Sequence, residues 1–125
     1  MKALVALVAL TLTGCATTAL PLTGPTASFG GTATVDGVSI RPLSIVEDSR
    51  CPTDVVCVWA GRLIILAEVE FRGGSESWRG PLTLGEPYSH GSETVTLVSA
   101  SPGKLAATPV RPSDYRFTFA AARSL

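Results

Sequence analysis

The clearest pattern along the chain is the alternation of apolar and polar residues between positions 62 and 72. Every second residue of this stretch is apolar, and these residues are Leu63, Ile65, Ala67, Val69 and Phe71. The residues between them are mainly apolar in the first half of the stretch and charged in the second half. A period of two is typical of a β-strand with one buried face. The stretch therefore predicts a strand that begins under cover and ends in solvent.

The C-terminal segment, residues 114–123, repeats this alternation with aromatic residues. The residues on its apolar face are Tyr115, Phe117, Phe119 and Ala121. This spacing predicts a strand with an aromatic core face. Stretches at residues 76–84 and 94–98 predict two further strands, bounded by turn-forming residues.

Residues 34–45 predict a hairpin with an irregular second strand. Asp36 and Gly37 separate two short apolar stretches, and this dipeptide favours a type I′ turn because both central residues need positive φ. The apolar phase slips around Pro42, which predicts an edge strand with a bulge. Together these patterns predict an all-β fold of about six or seven short antiparallel strands, either a small sandwich or a partly open barrel. Periodicity does not choose between these two architectures.

The N-terminus has the features of a bacterial lipoprotein signal. Lys2 precedes an apolar run at residues 3–12, which is shorter than the roughly 20 residues of a membrane-spanning helix and typical of a signal peptide. The run ends in the motif L-T-G-C at Cys15, which resembles the lipobox of bacterial lipoproteins. This resemblance implies that residues 1–14 are removed and that Cys15 carries a diacylglyceryl group and usually a further acyl chain on its amine. An ordinary secretory signal or a weakly apolar N-terminal strand remain alternatives.

Residues 15–31 are predicted to be the lipidated cysteine followed by a flexible tether. Residues 16–31 are rich in Thr, Ala, Gly and Pro and carry no charge, which is typical of a linker. The expected location is the cell envelope, because at least two acyl chains on Cys15 would hold the protein on its membrane. Ala16 stands where an aspartate commonly marks inner-membrane retention. In a bacterium with two membranes this favours the outer membrane, facing the periplasm.

Length and charge limit the remaining classes of function. A chain of 125 residues has room for one domain, predicted here over residues 32–125. Hydrophobic residues make up 46% of the chain, which is enough for a packed core. Ten basic residues balance ten acidic residues without a basic run. The chain therefore lacks the positive surface that nucleic-acid binding requires.

The two cysteines that remain after Cys15 are Cys51 and Cys57. In an exported protein such a pair is expected to form a disulfide. The five residues between them match neither the C-x-x-C motif of redox catalysts nor a usual zinc spacing. We therefore predict a structural disulfide that closes a short loop.

The residues after Cys57 lead into the long predicted strand. Trp59 shares the parity of the apolar face that continues at Leu63, which predicts that its side chain points into the core against the disulfide. The alternative is that Trp59 is a platform for a ligand. Gly61 is expected to mark a kink or a close backbone approach, because an unbroken strand over residues 55–72 would be unusually long.

The cysteine segment also carries a family resemblance. It contains D-S-R-C-P at residues 48–52 and C-V-W-A-G at residues 57–61, and P-S-D-Y-R follows at residues 112–116. These motifs resemble a family of uncharacterised bacterial lipoproteins or exported proteins, over most of the mature chain. The resemblance implies export and a compact β domain, and it supplies no activity.

A hydrolase would need a nucleophile with a base. His90 is the only histidine, and the turn-forming residues around it predict an exposed loop position. Ser92 and Asp114 complete a Ser–His–Asp set on paper, but no G-x-S-x-G motif accompanies them. We therefore expect no catalytic residues and no cofactor.

Three carboxylates flank the predicted disulfide, and they belong to Glu47, Asp48 and Asp54. Their oxygens are suitable ligands for Ca²⁺, but their spacing matches no EF-hand loop. Asp48 and Asp54 are also natural turn formers. We therefore expect no metal site.

The sequence thus favours a membrane-anchored, non-enzymatic β domain that binds an envelope protein, a peptide edge or a glycan. Its candidate recognition loop is residues 48–54, with Asp48, Arg50 and Asp54 as the charged residues. A loop held by a disulfide loses little entropy on binding. The alternatives are a stapled turn that only supports Trp59, a structural or stress-related envelope protein, and a small hydrolase.

Overall fold

The computed structural model describes residue 14, residues 25–74 and residues 76–124. This part of the chain contains β1 (Thr26–Ala27), β2 (Ala33–Val35), β3 (Val38–Asp48), β4 (Leu63–Glu70), β5 (Ser77–Thr83), β6 (Pro87–His90), β7 (Glu93–Ser101) and β8 (Arg116–Arg123). A short 3-10 helix, Pro112–Asp114, precedes β8. Within these residues, no helix has the length and apolar character needed to cross a membrane. Cys15 lies outside the described residues, as does the predicted signal apart from Gly14.

The strands form two sheets that pack together as a sandwich. The first sheet has the order β1-β8-β7-β6 and the second has the order β2-β3-β4-β5. All strand pairs are antiparallel. The predicted all-β class is confirmed. Of the two architectures that the sequence left open, the structure is the sandwich, because neither sheet closes on itself.

The core consists of the apolar faces that the sequence pattern predicts. Every apolar position predicted for residues 62–72 is buried. On β8, Phe117 and Phe119 are fully buried, and Tyr115 is buried just before the strand begins. Full burial of one such side chain stabilises the fold by about 1.5–3 kcal/mol. The two predicted strand faces therefore meet in one core between the sheets.

The hairpin of β2 and β3 also follows the prediction. Asp36 and Gly37 have φ values of 49° and 81°, as a type I′ turn requires. The pairing of β3 with β4 shifts register between Pro42 and Ser44, which confirms the bulge. β3 lies between β2 and β4 in its sheet, so the predicted edge position is wrong for residues 38–40, which pair with β2. Gly30 N also donates to Pro42 O over 2.9 Å.

The folded domain begins earlier than the predicted boundary at residue 32. Thr26 pairs with Thr118 of β8, and the ring of Phe29 lies 5.0 Å from that of Phe117. Residues 25–31, predicted to belong to the tether, are therefore part of the sandwich. Because β1 has only two residues and Phe29 is a single aromatic residue, this segment shows no apolar period. Its composition, which is typical of a linker, therefore placed the predicted boundary too late.

Candidate binding surface

The connection between β3 and β4 contains both cysteines and extends the hairpin beyond the sheet. Ser49 N donates to Arg62 O over 2.8 Å, and Cys51 N donates to Ala60 O over 3.1 Å. The disulfide between Cys51 and Cys57 closes the end of this hairpin, with the Cα atoms 5.9 Å apart. The predicted disulfide is confirmed, and it defines a closed loop whose base is held by backbone hydrogen bonds.

Gly61 lies where the two arms of this hairpin come closest. Its φ is +67°, and a Cβ atom at this position would lie 1.8 Å from Ser49 O. Residues with a side chain rarely adopt such a φ value. The predicted close approach is confirmed, since glycine is the one residue that meets both conditions.

Trp59 points into solvent and not into the core. Its side chain is 83% exposed, Val58 is 92% exposed, and Val56 is fully exposed. The prediction that Trp59 packs in the core is therefore wrong. The left-handed backbone at Gly61 interrupts the extended conformation, so the alternation of β4 does not continue back to residue 59.

Four apolar side chains project from the connection between β3 and β4, and we call them the apolar tip. They belong to Val55, Val56, Val58 and Trp59. Single exposed apolar residues are common on protein surfaces, but a contiguous group of them marks an interaction site more often than chance. The sequence contained a signal for part of this surface, because a ring of seven residues closed by a disulfide has no interior in which to bury Val55 and Val56.

The β7–β8 connection supports the disulfide loop from one side. The amide and the hydroxyl of Thr53 both donate to Lys104 O, over 2.8 and 3.1 Å. Ala106 N donates to the Asp54 carboxylate over 2.9 Å. Leu105, between these two contacts, is itself 47% exposed, so both loops present apolar side chains at this end of the sandwich.

The charged residues of the predicted recognition loop bond to the protein itself. Arg50 donates from Nε and Nη2 to the two carboxylate oxygens of Asp48, over 2.9 and 3.0 Å. The Tyr115 hydroxyl donates to the same carboxylate over 2.6 Å. Lys104 Nζ donates to the backbone oxygen of Asp48 over 2.7 Å. The side chains of Asp48 and Arg50 are only 9% and 15% exposed, so they clamp the loop to the β7–β8 connection.

The protonation of this cluster follows from its contacts. Burial raises the pKa of Asp48, but the hydrogen bonds from Arg50 and Tyr115 and the nearby positive charges outweigh it and lower that pKa overall. Burial and the hydrogen bond to Asp48 raise the pKa of Tyr115 to about 12. The hydrogen bond to Asp48 also raises the pKa of Arg50. At neutral pH the cluster is therefore an ion pair with a neutral phenol.

The three carboxylates considered for Ca²⁺ do not converge. Glu47 pairs with Arg62, while Asp48 and Asp54 make the contacts described above. Among the residues that the structure describes, no group of three or more His, Cys, Asp or Glu side chains is arranged to hold a metal ion.

His90 lies at the other end of the sandwich, beside an open cavity of about 470 Å³. It is the last residue of β6, so the predicted loop position is wrong. Its ring stacks on Phe71 with centroids 4.5 Å apart, and Nε2 lies 3.0 Å from a carboxylate oxygen of Glu76. The turn-forming residues around His90 predicted the turn that follows it, and the pairing of β6 with β7 brings His90 into the sheet.

The Ser–His–Asp set that the sequence offers is not assembled. Ser92 also lines the cavity, but Asp114 is the last residue of the 3-10 helix and forms an ion pair with Arg111. The carboxylate beside His90 is that of Glu76. The geometry therefore does not bring the three predicted groups together.

We compared the chain with protein-family models, curated proteins and solved structures, and found no match in any of the three. A functional assignment therefore depends on the sequence signals and on the geometry of the apolar tip.

Proposed function

We propose that this protein is a lipid-anchored protein of the bacterial cell envelope whose β-sandwich is a non-enzymatic binding module. The anchor is the acylated Cys15 that the lipobox-like motif implies. The observation that carries the binding role is the apolar tip, which is exposed on a loop that the fold holds rigid.

The rigidity of the loop supports a binding role. The disulfide, the hairpin hydrogen bonds and the Asp48–Arg50 clamp fix the loop before any ligand arrives. A preordered loop loses little conformational entropy on binding. Burial of the exposed valines and of Trp59 then contributes apolar free energy, and tryptophan is enriched among the residues that dominate binding energies.

A purely structural envelope domain gives no reason for this surface. Exposed apolar groups of this kind favour association and lower solubility. A turn that served only to connect β3 and β4 would be more soluble with polar residues at positions 56 and 58. The apolar tip therefore favours the binding role over the structural alternative.

The anchor is tested by metabolic labelling with radioactive palmitate. We expect label in the wild-type protein and none in Cys15→Ser. The double variant Cys51→Ser/Cys57→Ser is the matched control, and it should keep the label because its cysteines belong to the disulfide. An unlabelled wild-type protein, or label that persists in Cys15→Ser, would contradict the anchor.

The binding role is tested by hydroxyl-radical labelling of tryptophan in intact cells and in the purified protein. Trp78, which is half-buried and stacked on Tyr88 with centroids 3.9 Å apart, is the internal reference. We expect the ratio of Trp59 to Trp78 oxidation to fall in cells, because the occupied tip excludes water. An equal ratio in both samples would show that the tip is free in the cell.

A further inference from the structure

We propose that the apolar tip inserts into the interface of the membrane that carries the lipid anchor. The sandwich then contacts the bilayer through the end that carries the disulfide loop. We call this the loop-bearing end, and β8 begins there. This inference rests on the proposed anchor at Cys15, and it identifies the ligand of the binding surface as lipid.

The length of the chain between the anchor and the sandwich permits this orientation. Ten Cα–Cα steps separate Cys15 from Pro25, and they span at most about 36 Å in any conformation. Pro25 O accepts a hydrogen bond from Phe119 N over 3.1 Å. Phe119 lies three residues from Arg116 at the start of β8, which is about 10 Å along the strand. The anchor can therefore reach a membrane at the loop-bearing end.

The two ends of the sandwich differ in what they offer to a membrane. The opposite end carries a charged network in which Arg72 pairs with the exposed Asp36 and with the buried Glu93, and Glu76 and Arg123 lie beside it around the cavity. Charged groups are costly to move from water into an interface of low polarity. The loop-bearing end also exposes charges, in the ion pairs of Arg62 with Glu47 and of Arg111 with Asp114, but it is the end that presents the apolar tip, whose Val56, Val58 and Trp59 are at least 83% exposed. A tethered sandwich that touches its membrane therefore meets it most favourably with the apolar tip.

The residues of the apolar tip suit the boundary between headgroups and acyl chains. Tryptophan is enriched at this boundary because its ring is apolar and its N–H group is polar. The valines extend beyond the loop backbone, so shallow insertion buries side chains without dehydrating the hairpin hydrogen bonds. The Asp54 carboxylate is turned back to the amide of Ala106. Weak insertion is sufficient here, because the acyl chains already supply the affinity.

The size of the apolar tip argues against a protein partner as its main occupant. Its four side chains expose on the order of 500 Å² when a full valine or tryptophan surface is taken as about 150–250 Å². A stable protein interface usually buries about 800 Å² on each partner. The tip is also a projection and not a groove. A second copy of the chain would therefore need contacts that the tip does not provide, whereas a bilayer needs only a small projecting group.

The test uses the mature chain, residues 15–125, coupled through Cys15 to a maleimide lipid in vesicles of phosphatidylethanolamine and phosphatidylglycerol. Two variants with a single tryptophan are compared, Trp78→Phe to report Trp59 and Trp59→Phe to report Trp78. We expect lipids brominated near the headgroup to quench the fluorescence of Trp59. Quenching of Trp59 by acrylamide should fall by more than half relative to the same protein free in buffer. Trp78 should show neither change.

Two valine variants in the Trp78→Phe background form a matched pair. Val56→Asp puts a charge on the tip and should abolish quenching by brominated lipid. Val98→Asp changes an exposed valine on β7 and should leave the quenching intact. Both positions are exposed, so the sandwich should fold in each case.

Four outcomes overturn or separate the claims. Unchanged acrylamide access to Trp59 would overturn insertion. Loss of acrylamide access without quenching by lipid would also overturn it and would assign the tip to a contact between copies of the chain. If the natural protein carries palmitate but brominated lipid does not quench Trp59, the anchor is supported and insertion alone is refuted. If the natural protein carries no palmitate, the anchor is refuted whatever the result with the coupled vesicles.

Discussion

Tyr115 shows at the scale of single residues how the core and the binding loop are joined. Its ring is buried beside Phe117, and its hydroxyl donates to Asp48 at the base of the disulfide loop. The same carboxylate receives both hydrogen bonds from Arg50. The support of the loop therefore depends on a phenol that stays protonated and on a carboxylate that stays charged.

The alkaline stability of the protein should report this phenol. The pKa of Tyr115 is about 12 in the folded state and about 10 in an unfolded chain, so the folded state holds the proton more tightly. This contribution to stability is complete below about pH 10 and is lost as the pH rises towards about 12. We expect the free energy of unfolding to fall less steeply between these pH values in Tyr115→Phe than in wild type, as measured by urea denaturation. Tyr88→Phe is the control, and equal slopes for wild type and Tyr115→Phe would contradict the assignment.

At the scale of elements, the β3–β4 hairpin depends on the backbone of Gly61. Ala at this position would have to adopt a left-handed conformation and would also collide with Ser49 O. Gly85, in the β5–β6 turn, has a similar φ of +82° but open space around it. Comparing the two glycines therefore separates the conformational cost from the steric cost.

We expect Gly85→Ala to lower the free energy of unfolding by about 1–2 kcal/mol, the cost of a left-handed residue with a side chain. Gly61→Ala should cost roughly 1–3 kcal/mol more, because the backbone of the two hairpin arms must separate. Chemical denaturation of both variants measures the difference. If both substitutions cost the same, the close approach at Gly61 does not exist in solution.

At the scale of the whole molecule, the disulfide should affect stability without defining the fold. The two sheets share one core that does not include the disulfide loop, so the sandwich should fold without the bridge. A closed loop of seven residues contributes about 2.4 kcal/mol by restricting the unfolded chain. We expect Cys51→Ser/Cys57→Ser to lose about this amount in a single cooperative transition, measured by circular dichroism in denaturant. Cys15→Ser in the mature chain is the control, and a double variant as stable as wild type would refute this contribution.

The periodic sequence patterns fixed the faces of the long strands. Apolar residues recur at every second position along β4 and β8, and burial of those faces confirms the prediction. The turn at Asp36, the disulfide and the constraint at Gly61 were also predictable. Each of them follows from the conformational preference or the chemistry of residues close together in the chain.

The tertiary structure decided the features that depend on distant or interrupted segments. Thr26 and Thr118 are 92 positions apart, so no local pattern indicates that β1 joins β8. The contact of His90 with Glu76 likewise requires the end of β6 to meet the β4–β5 connection. Trp59 faces solvent because a period of two holds only while the backbone stays extended, and Gly61 ends that extension between Trp59 and β4. The buried faces of the strands were therefore determined by the local sequence. The architecture of the sandwich depended on contacts between distant segments, and the direction of the apolar tip depended on the left-handed backbone at Gly61, neither of which periodicity records.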